Sequence, residues 1–305
     1  MIRLALISSS ETAKIYGALS TRLHRANWTA FAPLDSGDLG QVFAPLVKSA
    51  SVDTLFNEQT EDFDAIVIDA DPITAKRLAK VAMESGKAVL FGEIGEECAS
   101  MNETDTLLMP AHPWRFIPSI QAVKRSVDSG KLGDPGLLRI HRWLPEDSVA
   151  LSASERIMPD VDLACWLFGN LPESVWSLQS AINKDYIQFH LGFSNGGMAM
   201  IDLVASLPAG GDYYSLTMIG STGAAYADDH HNMNLLYNGG KPNAIRTNQG
   251  QAELVQQLQE FVNAIEEKRK MSVTLADTCR AIQVVGQVLE SANTGQVIKG
   301  NNASV

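Results

Sequence analysis

The chain has 305 residues, with 24 basic and 35 acidic side chains and a formal charge of −11. That length suits two domains of ordinary size, and 45% hydrophobic against 19% charged residues is a globular rather than a disordered composition. The acidic excess argues against a broad nucleic-acid or anionic-membrane surface, since both need clustered Lys and Arg. Cys98, Cys165 and Cys279 are odd in number and far apart. They fit neither a disulfide framework nor a zinc spacing, and they suit a reducing compartment. No run approaches the roughly 20 apolar residues needed to span a bilayer, and the apolar stretch after Met1 is too short for a secretory signal. The expectation is a soluble, cytoplasmic protein.

The first third alternates short apolar strands with helical spacing. Leu4 to Ile7 reads as a strand, Glu11 to Arg25 as a helix and Trp28 to Ala32 as a second strand. The β-branched run Ala65-Ile66-Val67-Ile68 marks a strand buried on both faces. An amphipathic helix over Thr74 to Ser85 then stops at Gly86, and Ala88 to Phe91 is the next strand. Alternation at this spacing predicts βαβ units and a doubly wound parallel sheet. Beyond a helix over Ser119 to Ser129 and another around Asp160 to Phe168, strand patterns dominate. They run Leu137 to Trp143, Val175 to Leu178, Tyr186 to Phe193, Met198 to Ala205, Tyr214 to Ile219, Ala224 to Ala227 and Asn234 to Tyr237. Several alternate polar and apolar residues, as an antiparallel sheet with one covered face does. Helices over Gln251 to Glu267 and Thr274 to Ser291 close the chain. The expected fold is therefore α/β, with a Rossmann-like domain over 1–117 and an α+β domain over 118–305 built on a large, open, mostly antiparallel sheet.

A strand running straight into a helix at the N-terminus is where a dinucleotide fold places its glycine-rich turn. Glycines there let the backbone approach a pyrophosphate seated on the helix N-terminus. Here the turn is Ser8-Ser9-Ser10-Glu11-Thr12-Ala13, without glycine. Ser8 and Glu11 have the S-x-x-E spacing of a capping box, which predicts a self-capped helix with a carboxylate near the phosphate position. The second dinucleotide signal is an acidic residue ending strand two, which holds ribose hydroxyls. Asp35 is the candidate, about two residues late.

The stretch Phe63-Asp-Ala-Ile-Val-Ile-Asp-Ala-Asp-Pro72 followed by Ala88-Val-Leu-Phe-Gly-Glu-Ile94 resembles the glucose–fructose oxidoreductase / inositol dehydrogenase (Gfo/Idh/MocA) family. The likeness continues through Arg115-Phe-Ile-Pro118, Ser129 to Pro135, Asp160 to Gly169, Ile219-Gly-Ser-Thr-Gly223 and Val285 to Val297, so it covers nearly the whole chain in order. It implies NAD or NADP as cofactor and hydride transfer at a hydroxyl carbon of a sugar or cyclitol, with a side chain moving the hydroxyl proton.

At the functional positions the likeness breaks. The family's Glu-Lys-Pro turn falls on Gly92-Glu93-Ile94, which replaces an ammonium able to stabilise an alkoxide by a carboxylate. Its Asp-x-Gly-x-His-x-x-Asp motif falls on Glu155-Arg-Ile-Met-Pro159-Asp-Val-Asp162, so the proton-transferring histidine is Pro159. At the end of the fourth element, Ile68-Asp69-Ala70-Asp71-Pro72 puts carboxylates where the family has small, Thr or Pro residues. One like-charge pair at about 4 Å costs on the order of 1 kcal/mol in water. The resulting expectation is an oxidoreductase-family protein with impaired hydride chemistry, weak or lost NAD(P) binding and a sugar-like ligand. The alternative is an NAD(P)-dependent enzyme with proton transfer reassigned to Glu93, Glu155, Asp160 or Asp162. Cofactor contacts then fall on Ser8, Ser10, Glu11, Asp35, Ala70 and Pro72, and substrate contacts on Arg115 and Asp160.

The remaining candidates carry less. Asp228-Asp229-His230-His231 resembles a metal-ligand cluster, but adjacent residues of a strand face opposite sides, and no metal is expected. His112-Pro113-Trp114-Arg115 falls at the predicted domain junction. Arg139, His141 and Trp143 alternate onto one strand face, which predicts a homo-oligomer formed through the C-terminal sheet. Lys268-Arg269-Lys270 reads as a solvated helix end.

Overall fold

A computed structural model describes residues 1–36, 48–49, 51–92, 108–145, 151–207, 213–228, 233–236, 243–246 and 251–300. In chain order the elements are β1 (Ile2–Ser8), α1 (Ser10–Ala18), β2 (Ala26–Pro33), β3 (Lys48–Ser49), α2 (Val52–Asn57), β4 (Ala65–Ile68), α3 (Pro72–Glu84), β5 (Ala88–Phe91) and β6 (Leu108–Pro110). There follow α4 (Pro118–Asp128), β7 (Pro135–Pro145), α5 (Ala153–Phe168), β8 (Pro172–Gln179), β9 (Tyr186–Phe193), β10 (Met198–Leu207), β11 (Tyr213–Gly220) and β12 (Ala224–Asp228). The short pair β13 (Met233–Leu236) and β14 (Asn243–Arg246), the helices α6 (Ala252–Glu267) and α7 (Leu275–Thr294), and β15 (Ile298–Lys299) complete the chain.

The chain divides into two compact units. The first comprises Met1–Pro113 and Glu253–Cys279, so residues after 252 return to it, which a single boundary near 117 does not provide for. Its six strands form a sheet in the order β3-β2-β1-β4-β5-β6, every pair of which is parallel. This is the order of a dinucleotide-type fold, in which the strand sequence reverses between β1 and β4. Leu4 to Ile7 and Ala65 to Ile68 are almost wholly buried, as helices covering both faces of a parallel sheet require. Each large aliphatic or aromatic side chain so buried contributes about 1.5–3 kcal/mol. The expected helix over Glu11 to Arg25 is shorter: α1 ends at Ala18, and a 3₁₀ turn over Ser20–Arg22 follows.

The second unit, Trp114–Ala252 and Arg280–Val305, is built on seven strands in the order β12-β11-β7-β10-β9-β8-β15. Only the β7–β10 pair is parallel; the others are antiparallel. Alternate residues such as Leu138, Ile140, Phe189, Leu191, Ile201 and Leu216 pack with side chains of α4, α5 and Ala281 to Val288 of α7 in one core. The intervening residues form an open face carrying Trp143, Leu178 and Tyr226, which are 40%, 55% and 70% exposed. On it Trp143 lies against Tyr213, with ring centroids 4.9 Å apart, and His141 pairs with Asp202. The Ile219-Gly220-Ser221-Thr222-Gly223 motif has a packing explanation. A Cβ on Gly220 would lie 2.1 Å from the Leu132 carbonyl oxygen, which leaves room only for glycine.

One helix differs from its sequence reading. The helix expected around Asp160 begins at Ala153 and runs through Pro159. Proline removes the amide that would reach back one turn and ordinarily breaks a helix. Here Ile157, Val161, Leu163 and Ala164 on either side are buried in the core, and the helix continues to Gly169, whose φ of 69° ends it. Cys165 remains a thiol outside any disulfide, whereas Cys279 is disulfide-bonded, a correction to the reading that the cysteines form no disulfide. Cys98 lies outside the described residues, as do Glu93, Asp229, His230, His231 and Tyr237. No helix among the described residues is long and apolar enough to cross a membrane.

Candidate functional site

In the first unit the candidate cofactor residues gather at the carboxyl ends of β1, β2 and β4. Ser8 is the last residue of β1 and is fully buried. Its hydroxyl donates to the Ser9 carbonyl. The expected Ser8–Glu11 capping box does not form. Ser9 is the N-cap of α1 and accepts from the Thr12 amide at 3.2 Å, while Glu11 is an exposed first-turn acid. The cap sits one residue later because β1 retains Ser8 through its pairing with Pro33 of β2.

Asp35 reaches back to the same turn. Its carboxylate accepts from the Ser10 amide at 3.0 and 3.2 Å and from the Ser10 hydroxyl at 2.5 Å. Ser10 is 4% exposed, so its side chain fills the space that a second glycine leaves open in a dinucleotide turn. At the end of β4, Asp71 is the N-cap of α3, accepting from the Ile73 and Thr74 amides at 3.1 Å, and Pro72 is the first residue of that helix. Bonding with Thr74 and then Ile73 holds the Asp71 carboxyl below its ordinary value. Ala70 lies between Asp69 and this cap. The residues present therefore do not fit a dinucleotide bound in the glycine-turn mode: no glycine opens the turn, and a carboxylate already lies on the Ser10 amide.

Asp69 is the least solvated acid of this group, and burial pushes its carboxyl up. Burial and then the Asp69 charge push the nearby Tyr16 hydroxyl up as well. Because the folded state holds the Asp69 proton more tightly than the unfolded chain, ionisation of this group penalises folding at neutral pH, and the penalty fades as pH falls. Asp69→Asn is accordingly expected to raise the thermal midpoint at pH 7. That gain shrinks as pH falls toward about 4, the ordinary carboxylate range. Paired thermal melts across pH check it, and an equal or lower midpoint at pH 7 contradicts it.

In the second unit the candidate acids lie on α5, and each is engaged. Glu155 forms a true capping box with Ser152: its amide donates to the Ser152 hydroxyl at 3.2 Å, and its carboxylate accepts from the Ser152 amide at 2.6 Å. Asp160 is fully buried and receives three hydrogen bonds from Arg142 of β7, at 2.7–2.9 Å. Burial pushes its carboxyl up against the opposing pull of that guanidinium. Asp162 receives two from Arg115, at 2.8 and 2.6 Å, and both residues are buried. Arg142 also stacks over Trp114 and Arg115 over Trp166, at 5.2 and 5.4 Å.

Sequence reading found Asp160, Asp162 and Arg115 but not Arg142. The signal was present: Arg142 shares the core-facing register of Leu138 and Ile140, and an arginine there needs a buried counter-charge. His112 is likewise buried, with Nε2 2.8 Å from the Thr278 hydroxyl. Among the described residues no group of three or more His, Cys, Asp or Glu is placed to hold a metal ion.

Residues 159–299 match the family described as the oxidoreductase family, C-terminal alpha/beta domain (GFO_IDH_MocA_C). The chain is 27% identical over 192 residues to the uncharacterized oxidoreductase YrbE of Bacillus subtilis (strain 168), a match spanning 55% of this chain and 56% of that protein, about half of each. In fold it is similar to a myo-inositol dehydrogenase from Corynebacterium glutamicum (TM-score 0.84, 20% identity, 99% of this chain and 100% of that one). It is also similar to a scyllo-inositol dehydrogenase from Lactobacillus casei solved with NAD(H) and scyllo-inositol (0.83, 17%, 98% and 99%). A third similar fold is an oxidoreductase from Agrobacterium radiobacter in complex with NAD+, L-tartaric acid and magnesium (0.78, 17%, 98% and 98%). Residues 159–299 thus match the C-terminal alpha/beta domain of the Gfo/Idh/MocA oxidoreductase family, and the chain as a whole has the fold of these dehydrogenases.

Proposed function

We propose that this chain is an inositol-dehydrogenase-like protein that keeps a cyclitol- or sugar-like ligand while its NAD(P)-linked hydride transfer is impaired. The observation that carries the reading is the state of α5. Pro159 cannot titrate, and Glu155, Asp160 and Asp162 are all held in structural hydrogen bonds. Proton transfer during hydroxyl oxidation needs a group near the substrate that can gain and lose a proton. A carboxylate locked on a buried guanidinium does neither without breaking that pair. The ligand class is proposed from the scyllo-inositol of the Lactobacillus casei relative. Mixing the protein with NAD+ or NADP+ and scyllo- or myo-inositol tests the reading. The expected outcome is no accumulation of reduced nicotinamide; sustained turnover overturns it.

Asp69 favours a second reading, an NAD(P)-dependent oxidoreductase with proton transfer reassigned, because a desolvated carboxyl at the carboxyl end of a central strand is suited to carry a proton. The same turnover measurement decides between the two. We also propose that the open face of the second unit's sheet is covered by a second copy of the chain. It carries aromatic residues together with both signs of charge, Arg139 and His141 beside Asp202 and Asp228, as a self-complementary two-fold contact requires.

A further inference from the structure

We infer that the chain supplies its own anion at the turn where a dinucleotide would bind, so that Asp35 opposes nucleotide binding rather than assisting it. An acidic residue just after the second strand of a dinucleotide fold ordinarily accepts from ribose hydroxyls. Its oxygens must then be available to a ligand and must leave the turn between β1 and α1 free for phosphate. Here the geometry is reversed. Both Asp35 oxygens accept from the Ser10 amide, one also accepts from the Ser10 hydroxyl, and Ser10 is buried beneath them. The next amide used in capping, that of Thr12, is taken by the Ser9 hydroxyl. A helix N-terminus attracts a negative group because its amides and dipole favour one. In this chain that preference is met by a carboxylate tethered 25 residues along the sequence. A pyrophosphate approaching the turn meets a like charge and an amide already bonded.

The inference rests on the proposed reading in one respect only, that NAD(P) is not bound here in the ordinary way, and it assigns that to a removable contact. It also opposes the ordinary role of such a residue in sign: a ribose-holding Asp35 predicts weaker nucleotide binding on its loss, and a self-supplied anion predicts tighter binding.

The experiment is equilibrium titration of NADH and NADPH, without substrate, into the full chain and into Asp35→Ala, Ser10→Gly and the double variant. Circular dichroism confirms that each is folded. Tethering makes Asp35 an effective competitor, so Asp35→Ala is expected to tighten NADH binding at least tenfold, or to create saturable binding where the parent shows none. Ser10→Gly should move affinity the same way, and the double variant should bind at least as tightly as either. Unchanged or weaker binding in Asp35→Ala overturns the inference, and so does the absence of saturable binding in every folded variant. Turnover by the parent together with tighter binding in Asp35→Ala would overturn the proposed function alone.

Discussion

Replacing Asp160 by Ala is expected to cost about 3–5 kcal/mol of folding stability, the penalty of leaving one member of a buried ion pair without its partner. The Arg142 side chain is 4% exposed and has little access to water in exchange for the three hydrogen bonds it loses. Its planar face also lies over Trp114, so rotation outward would give up that stacking contact as well. Replacing both residues, as Asp160→Leu with Arg142→Met, should cost far less, because no buried charge remains. Guanidinium or urea unfolding midpoints of the two single variants and the double variant measure this directly. A single Asp160→Ala within about 1 kcal/mol of the parent would contradict the structural role given to the pair. It would return Asp160 to the list of groups free to act on a ligand.

Trp143→Arg is expected to abolish self-association through the open sheet face. Trp143 is 40% exposed, packs on Tyr213 and sits beside the His141–Asp202 pair, so it is placed as a central aromatic anchor. Anchors of this kind typically cost 2 kcal/mol or more when removed, roughly a thirtyfold weakening. An arginine at two-fold-related positions adds like-charge repulsion to that loss. Light scattering of the parent should give a multiple of the chain mass and of Trp143→Arg the chain mass itself. A monomeric parent, or a variant that associates as the parent does, contradicts the proposal.

The fold was legible in the sequence because its signals are local and repeated. The β-branched run at Ala65–Ile68 and the apolar run before Ser8 required strands covered on both faces, and the structure buries both. Alternation along β7, β9 and β10 marked one covered and one open face, and the second sheet has them. What the sequence did not convey depends on contacts between distant residues. The S-x-x-E signature occurs at Ser8–Glu11 and again at Ser152–Glu155, yet only the second is a capping box. The choice was made by strand pairing, which keeps Ser8 in β1. The helix expected around Asp160 starts earlier, at Ala153, and passes through Pro159 because the core contacts on both sides outweigh one lost bond. Asp35 seemed two residues late for a ribose; its partner is instead the turn itself, a contact that only the folded geometry brings together. Arg142 could have been paired in advance, since an arginine on the buried side of a strand demands an acid, and α5 offers Asp160 and Asp162.

On the proposed function the acids of α5 hold the fold and do not move protons for hydride transfer. The most direct measurement is a single-turnover experiment, with the protein in excess of NAD+ or NADP+ and with scyllo- or myo-inositol saturating, read by nicotinamide absorbance. Excess protein removes slow product release as an explanation for lack of signal. No reduced nicotinamide is expected to form above the protein-free control. Stoichiometric reduction of the cofactor, lost in Asp160→Asn or Asp162→Asn variants that remain folded, would contradict it.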